Sequence, residues 1–103
     1  MYGSVARLRI KSGHFDEVIA LSDQWARERA PKVDGFVQNI VYQLDSDSDN
    51  YLMAVVFRDR ESYRANAQDP AQDQWFRQML THLDAEPQWQ DGEIVYSYPP
   101  AES

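Results

Sequence analysis

A chain of 103 residues, 43% hydrophobic and 26% charged, has room for one domain with a single core. Its formal net charge of −7, with only Lys11 and Lys32 as lysines, leaves no clustered cations for a large nucleic-acid surface, and the lack of cysteine excludes disulfides, thiolate metal sites and a thiol nucleophile together. Met1–Ser4 leads straight into a strand pattern without a signal-like apolar core, and no apolar run is long enough to span a bilayer, so a cytoplasmic protein without membrane contact is expected.

Val5 to Ile10 alternates, with Ala6, Leu8 and Ile10 on one face and Val5, Arg7 and Arg9 on the other, the period of a strand. Lys11-Ser12-Gly13 ends it, and Ser12 is the expected cap of a helix with Asp16 and Glu17 in its first turn. Phe15, Val18, Ile19, Ser22, Trp25, Ala26 and Arg29 recur at three and four, which gives one apolar helical stripe that Pro31 brings to an end. Phe36 to Leu44 reads as a second strand, with Phe36, Ile40, Tyr42 and Leu44 on one side and Val37, Asn39, Val41 and Gln43 on the other. Asp45 to Asn50 reads as a polar hairpin loop. Its alternating oxygens imitate the start of a calcium loop, but Asn50 stands where such a loop needs Gly and Val56 where it needs Glu, so no calcium is expected.

Tyr51 to Phe57 is an unbroken apolar run, which predicts a strand covered on both faces. Asp59 can cap a short helix through Ala67; Asp69-Pro70 opens another, with Gln72 three after the cap and Trp75, Phe76, Met79, Leu80 and Leu83 as its stripe. After a connection over Asp84 to Gly92, Glu93 to Tyr98 is the expected last strand, which Pro99-Pro100 closes. The order βαββαβ predicts an α+β, ferredoxin-like fold: a four-stranded antiparallel sheet with both helices on one face, a single domain over residues 1–98 and a tail over 99–103. Two helices cover only one face, so a second copy packed sheet to sheet is expected as a homodimer.

Leu8-Arg9-Ile10-Lys11-Ser12-Gly13-His14 before a helix, then Asp34-Gly35-Phe36, the run Tyr51 to Phe57 into Arg58-Asp59-Arg60-Glu61-Ser62-Tyr63, and Asp69-Pro70 opening a helix, together resemble the antibiotic biosynthesis monooxygenase family over nearly the whole chain. The resemblance implies a dimeric α+β barrel and, in one branch, oxidation of phenolic or quinol-like aromatics by molecular oxygen without cofactor or metal. It places Asn66 where the family often has His or Trp. A haem-degrading branch carries a ligand His where this chain reads Gln74-Trp75-Phe76, so haem degradation is not expected.

Within that frame Trp75 is a candidate pocket wall, able to stack on a flat substrate, although a stripe aromatic is equally expected in the core. His82, seven residues after Trp75 and three after Met79, is the candidate general base; the alternative is a histidine favoured by the dipole at a helix end. Asn66 and one of Tyr42, Tyr63 or Tyr96 would donate to a substrate oxygen, and Asn39 is a polar position on a strand face that otherwise reads as buried. No Gly-rich phosphate loop or Gly-x-Ser-x-Gly elbow occurs, and two histidines are a poor basis for a transition-metal site, so no cofactor or metal is expected. A non-catalytic homodimeric module that binds a small ligand or only provides structure is the competing reading, and an isomerase on the same barrel a third. A pocket too small for a ring, below about 300 Å³, or Trp75 and His82 on opposite faces of the last helix, would favour the non-catalytic module, and a cavity filled by Trp25, Trp75 and Phe76 would defeat the catalytic reading.

Overall fold

In the computed structural model, which describes residues 1–100, strands β1 (Tyr2–Arg9), β2 (Phe36–Leu44), β3 (Asp47–Phe57) and β4 (Gln90–Glu93) form one antiparallel sheet in the order β2-β3-β1-β4. Helices α1 (Phe15–Glu28), α2 (Arg60–Ala67) and α3 (Pro70–Leu80) accompany it, with a 3-10 turn over Ala30–Lys32. Of the expected tail, residues 101–103 lie outside the described residues.

The alternation of β1 and β3 decides the faces. Ala6 and Leu8 pair across the ladder with Met53 and Tyr51; all four are buried, as is Phe57, and Leu8, Tyr51 and Met53 share one core with Val18 of α1 and Met79 of α3. Tyr51, Met53, Val55 and Phe57 are therefore the helix-facing set of the central run. Leu52, Ala54 and Val56 take the opposite face, beside Val5, Ile40 and Tyr42, which are 42%, 46% and 52% exposed. The run expected to be covered on both sides is covered on one by its own chain.

Several boundaries differ from expectation for local reasons. Ser12 does not cap α1: Gly13 at φ +82 and the bond from His14 N–H to Lys11 O, 2.9 Å, turn the chain so that His14 takes the cap position without a side-chain bond. A register shift between Phe36 and Gln38 puts a bulge in β2, so Phe36 lies opposite Phe57 and shares the helix side with Asn39 and Val41 rather than with Ile40 and Tyr42. The hairpin loop shrinks to Asp45-Ser46, because Asp47 already pairs with Leu44 and the Gln43 side chain donates to Ser48 O at 2.9 Å. The last strand is Gln90–Glu93, not Glu93 to Tyr98. Its ladder runs from Val5↔Gln90 to Tyr2↔Glu93, and the Ile94 N–H reaches Met1 O at 2.9 Å; Val95, Tyr96 and Tyr98 are 92%, 80% and 82% exposed.

The turn entering β2 is tied to the one leaving β3. Arg58 forks onto both oxygens of Asp34, at 3.2 and 2.8 Å, and reaches Asp59 at 3.2 Å, while Asp59 caps α2 by accepting from Ser62 N–H at 2.8 Å. The Arg58 hydrogen bonds hold the Asp34 carboxyl below its ordinary 3.8, and the Ser62 bonds do the same for Asp59. A carboxyl depressed in the folded state contributes stability above its unfolded value and loses it as pH falls through the folded one. Thermal melts from about pH 5 to about pH 2 should show Tm falling below 3.8, with Asp34→Asn flattening the fall.

A candidate ligand cavity between helices and sheet

Between the helices and the helix-facing side of the sheet lies a cavity of about 270 Å³. Trp25 of α1, Phe36 of β2, Phe57 of β3, and Trp75 and Phe76 of α3 line it, with Trp89 from the connection before β4. Trp25 meets Phe36 edge-on at 4.9 Å between ring centres, Phe36 meets Phe57 at 5.6 Å, and Phe57 meets Tyr63 at 5.5 Å. Both flanking indoles are anchored: Trp75 Nε1 donates to Leu21 O at 2.9 Å and Trp25 Nε1 to Gln72 Oε1 at 2.7 Å. Trp25, Trp75 and Phe76 thus wall the cavity without filling it. Its volume stands just under the size at which drug-like pockets begin, about 300 Å³, which fits one or two fused rings rather than a large polycycle.

Four of the candidate site residues, Asn39, Tyr63, Asn66 and Trp75, line this cavity. The Tyr63 hydroxyl donates to Asp91 Oδ1 at 2.9 Å, an oxygen that also accepts from Ser4 Oγ–H at 2.6 Å. Burial above all, with Asp91 adding and Ser4 opposing, raises the Tyr63 phenol above its ordinary value, so it is neutral at physiological pH. Asn66 Oδ1 accepts from Arg29 Nη2 at 3.1 Å, and the same nitrogen reaches Asp69 Oδ2 at 3.4 Å.

Three candidates are not brought there. Tyr42 lies on the open face of the sheet, since the bulge at Val37 leaves it opposite Leu52; Tyr96 lies beyond β4. His82 is not among the lining residues, and its Nδ1 faces Nδ1 of His14 at 2.9 Å. The spacing from Trp75 and Met79 does not carry to it because α3 ends at Leu80, so His82 follows the helix rather than riding on its face. One ring of the His14–His82 pair must donate and the other accept, so at least one is neutral while the contact holds.

The polar partners that orient the lining are residues whose sequence positions point to other roles. Gln72 lies three after the Asp69 cap, but Asp69 accepts from Ala71 N–H at 2.9 Å and the Gln72 amide crosses to Trp25. Arg29 counted as the tail of the α1 stripe. It is a half-buried guanidinium whose Nε is shut away without a partner among the described residues. No local pattern marks contacts that span 37 and 47 positions of sequence. Among the described residues no three His, Asp or Glu side chains gather as a metal site, and no helix is long and apolar enough to cross a membrane.

Solved structures share this architecture. A conserved protein from Methanosarcina mazei Go1 superposes with a TM-score of 0.76 at 20% identity, over 88% of this chain and 89% of that one. SnoaB, a cofactor-independent oxygenase from Streptomyces nogalater solved as a mutant, gives 0.73 at 16% identity, over 96% and 97%. Rv0793 from Mycobacterium tuberculosis gives 0.74 at 15% identity, over 93% and 96%. Identities this low establish the shared fold and nothing of the substrate. Among curated proteins none matches the sequence. The family profile described as antibiotic biosynthesis monooxygenase does match, over residues 1–78, which takes in β1 to the body of α3 and most of the cavity lining; the chain belongs to that family.

Proposed function

We propose that the protein oxidises a small phenolic or quinol-like aromatic with molecular oxygen inside this cavity, using neither flavin nor metal. The observation that carries the reading is an aromatic-walled cavity whose lining includes the Asn66 amide, in a chain of this family. The electrons balance without a reductant. A phenol giving a quinone loses four electrons, dioxygen takes up four, one oxygen atom becomes the new carbonyl and the other leaves as water. The chain's part is to hold the ring between aromatic walls, keep water out and stabilise negative charge on the substrate oxygen. Trp75 is the wall, Asn66 the donor, and Tyr63 and Asn39 complete the binding surface. With His82 outside the lining, the substrate enters as its phenolate, having given its proton to bulk water before binding, and the Asn66 amide holds the charged oxygen.

The test is oxygen uptake with a panel of naphthols and hydroquinones, with label from ¹⁸O₂ followed into the product. Val55 faces the cavity from β3, so Val55→Phe would obstruct it without removing a polar group. Turnover should fall at least 100-fold while Tm stays within a few degrees of the parent. Absence of uptake across the panel would defeat the oxygenase reading.

A second reading has a specific observation in its favour: the cavity is small and the expected base lies outside it. A non-catalytic module would bind the same aromatics and consume no oxygen, so calorimetric titration in parallel with uptake separates the two.

We also propose that the open sheet face is covered by a second copy of the chain around a two-fold axis, in the cytoplasm. Val5, Ile40 and Tyr42, flanking Leu52, Ala54 and Val56, make an apolar surface that a solvated face of this size would not normally carry. Sizing by light scattering should give a dimer at micromolar concentration, and Ile40→Glu, which puts a charge on that face beside Ala54 of β3, should give a folded monomer. A monomeric parent protein would count against the assembly.

A further inference from the structure

We infer that Arg29 and Trp25 act as positioning residues that lock two cavity amides into one orientation, so that Asn66 and Gln72 offer a ligand their NH₂ groups and select an aromatic bearing acceptor oxygens. The inference rests on the cavity being a binding site, as proposed above, and names what that site prefers.

An amide side chain has a donor end and an acceptor end of nearly equal shape, and which end faces a ligand is set by what grips the other. Here both grips are donor-only groups. A guanidinium has five N–H bonds and no acceptor, and an indole has one N–H and no acceptor. Arg29 Nη2 lies 3.1 Å from Asn66 Oδ1 and Trp25 Nε1 lies 2.7 Å from Gln72 Oε1. Flipping either amide would set N–H against N–H, so both oxygens are fixed. Asn66 and Gln72 both line the cavity, and neither amide nitrogen has a partner among the described residues.

Most of the other polar groups of the lining are committed. Tyr63 gives its hydrogen to Asp91, Trp75 gives its N–H to Leu21 O, Ser22 gives its hydrogen to Val18 O at 2.9 Å, and Asp73 is paired with Arg77 at 2.9 Å. Apart from the exposed Asn39 amide on the sheet side and the Trp89 indole N–H from the connection before β4, the uncommitted donors are the two locked NH₂ groups, which both lie on the helix side. Arg29 is drawn in for this at a cost, since its Nε is buried and unpaired. A wall of this kind favours a ring carbonyl or a phenolate oxygen over a neutral hydroxyl, because hydrogen bonds to the charged form of a phenol stabilise that form.

The test uses two rigid bicyclic rings of one shape: 1-indanone, which carries a carbonyl oxygen, and indane, which has CH₂ there. Calorimetric titration of the parent protein should give at least tenfold tighter binding of indanone. Asn66→Asp and Gln72→Glu each keep the oxygen that Arg29 or Trp25 holds and replace the free NH₂ with oxygen, so the internal bond survives. Each should cut the indanone-to-indane preference at least tenfold, a ratio that a general loss of packing would not move. Arg29→Met should erode the preference, with Arg29→Lys restoring part of it, while Arg29→Met added to Asn66→Asp should change it no further. Equal binding of the two rings by the parent protein, or a preference unmoved by both carboxylate variants, would overturn the inference and leave the cavity reading standing. Binding of neither ring would overturn both.

Discussion

Gly35→Ala is expected to destabilise the fold by about 3 kcal/mol or more, seen as a Tm loss of at least about 10 °C for a domain of this size. Gly35 sits at φ +81, a left-handed conformation that costs an L-residue about 1–2 kcal/mol by itself. A Cβ there would also stand 2.5 Å from Cβ of Ser62 and closer still to its hydroxyl, so one of the two must move. Ser62 has nowhere to go: it is 6% exposed, its N–H donates to Asp59 Oδ1 at 2.8 Å, and its hydroxyl donates to Asp59 O at 3.0 Å. Relief must come from displacing the start of α2 or the turn before β2. The turn is pinned from the other side by Arg58 N–H on Gly35 O at 2.7 Å. The consequence reaches the cavity, because α2 carries Tyr63 and Asn66 and the turn delivers Phe36. Affinity for an aromatic ligand should fall together with Tm. A variant that melts within a few degrees of the parent would refute this account of the turn.

The same turn shows where sequence is a good guide and where it is not. Asp34-Gly35-Phe36 announces a tight turn, and the alternation in β1 gives its buried face correctly, since Ala6, Leu8 and Ile10 are each 2–3% exposed. Alternation fails in β2, where one extra residue at Val37 reverses the phase and moves Phe36 to the helix side. Nothing in Phe-Val-Gln-Asn marks that residue as a bulge. In Tyr51 to Phe57 the composition reports correctly that both faces are apolar, yet it cannot say which set the helices cover. That depends on pairing with β1 across a long stretch of chain. His82 illustrates a period extended past the end of its helix, and Glu93 to Tyr98 a strand pattern without a neighbour to pair with along its length. The cavity walls were half legible, because aromatics in a stripe are candidates for any interior surface. The groups that orient its amides were not, because Arg29 to Asn66 and Trp25 to Gln72 are tertiary contacts with no local signature.

Leu8→Ala is the second large effect, and it separates a structural role from a ligand-linked one. Leu8 is 2% exposed, pairs with Tyr51 in the middle of the sheet and belongs to both the core and the cavity lining. Truncating a buried leucine costs about 2–5 kcal/mol, the upper part where the surroundings cannot collapse, and here the ladder to β3 fixes the backbone on which the gap would open. Against a total of about 5–15 kcal/mol that is a large fraction of the stability. Val18→Ala removes less from an equally buried position that does not line the cavity. The two variants should therefore respond differently to ligand. The space left by Leu8 joins the cavity and can be occupied by a somewhat larger ring. A ligand at a hundred times its Kd returns about 2.7 kcal/mol, so a ring sized to the enlarged space should restore much of the lost Tm. Val18 is not a lining residue, and its variant should show only the parent's ligand-induced shift. Equal shifts for Leu8→Ala and Val18→Ala, across ligands of one and two rings, would mean that the aromatics bind somewhere other than the cavity between helices and sheet.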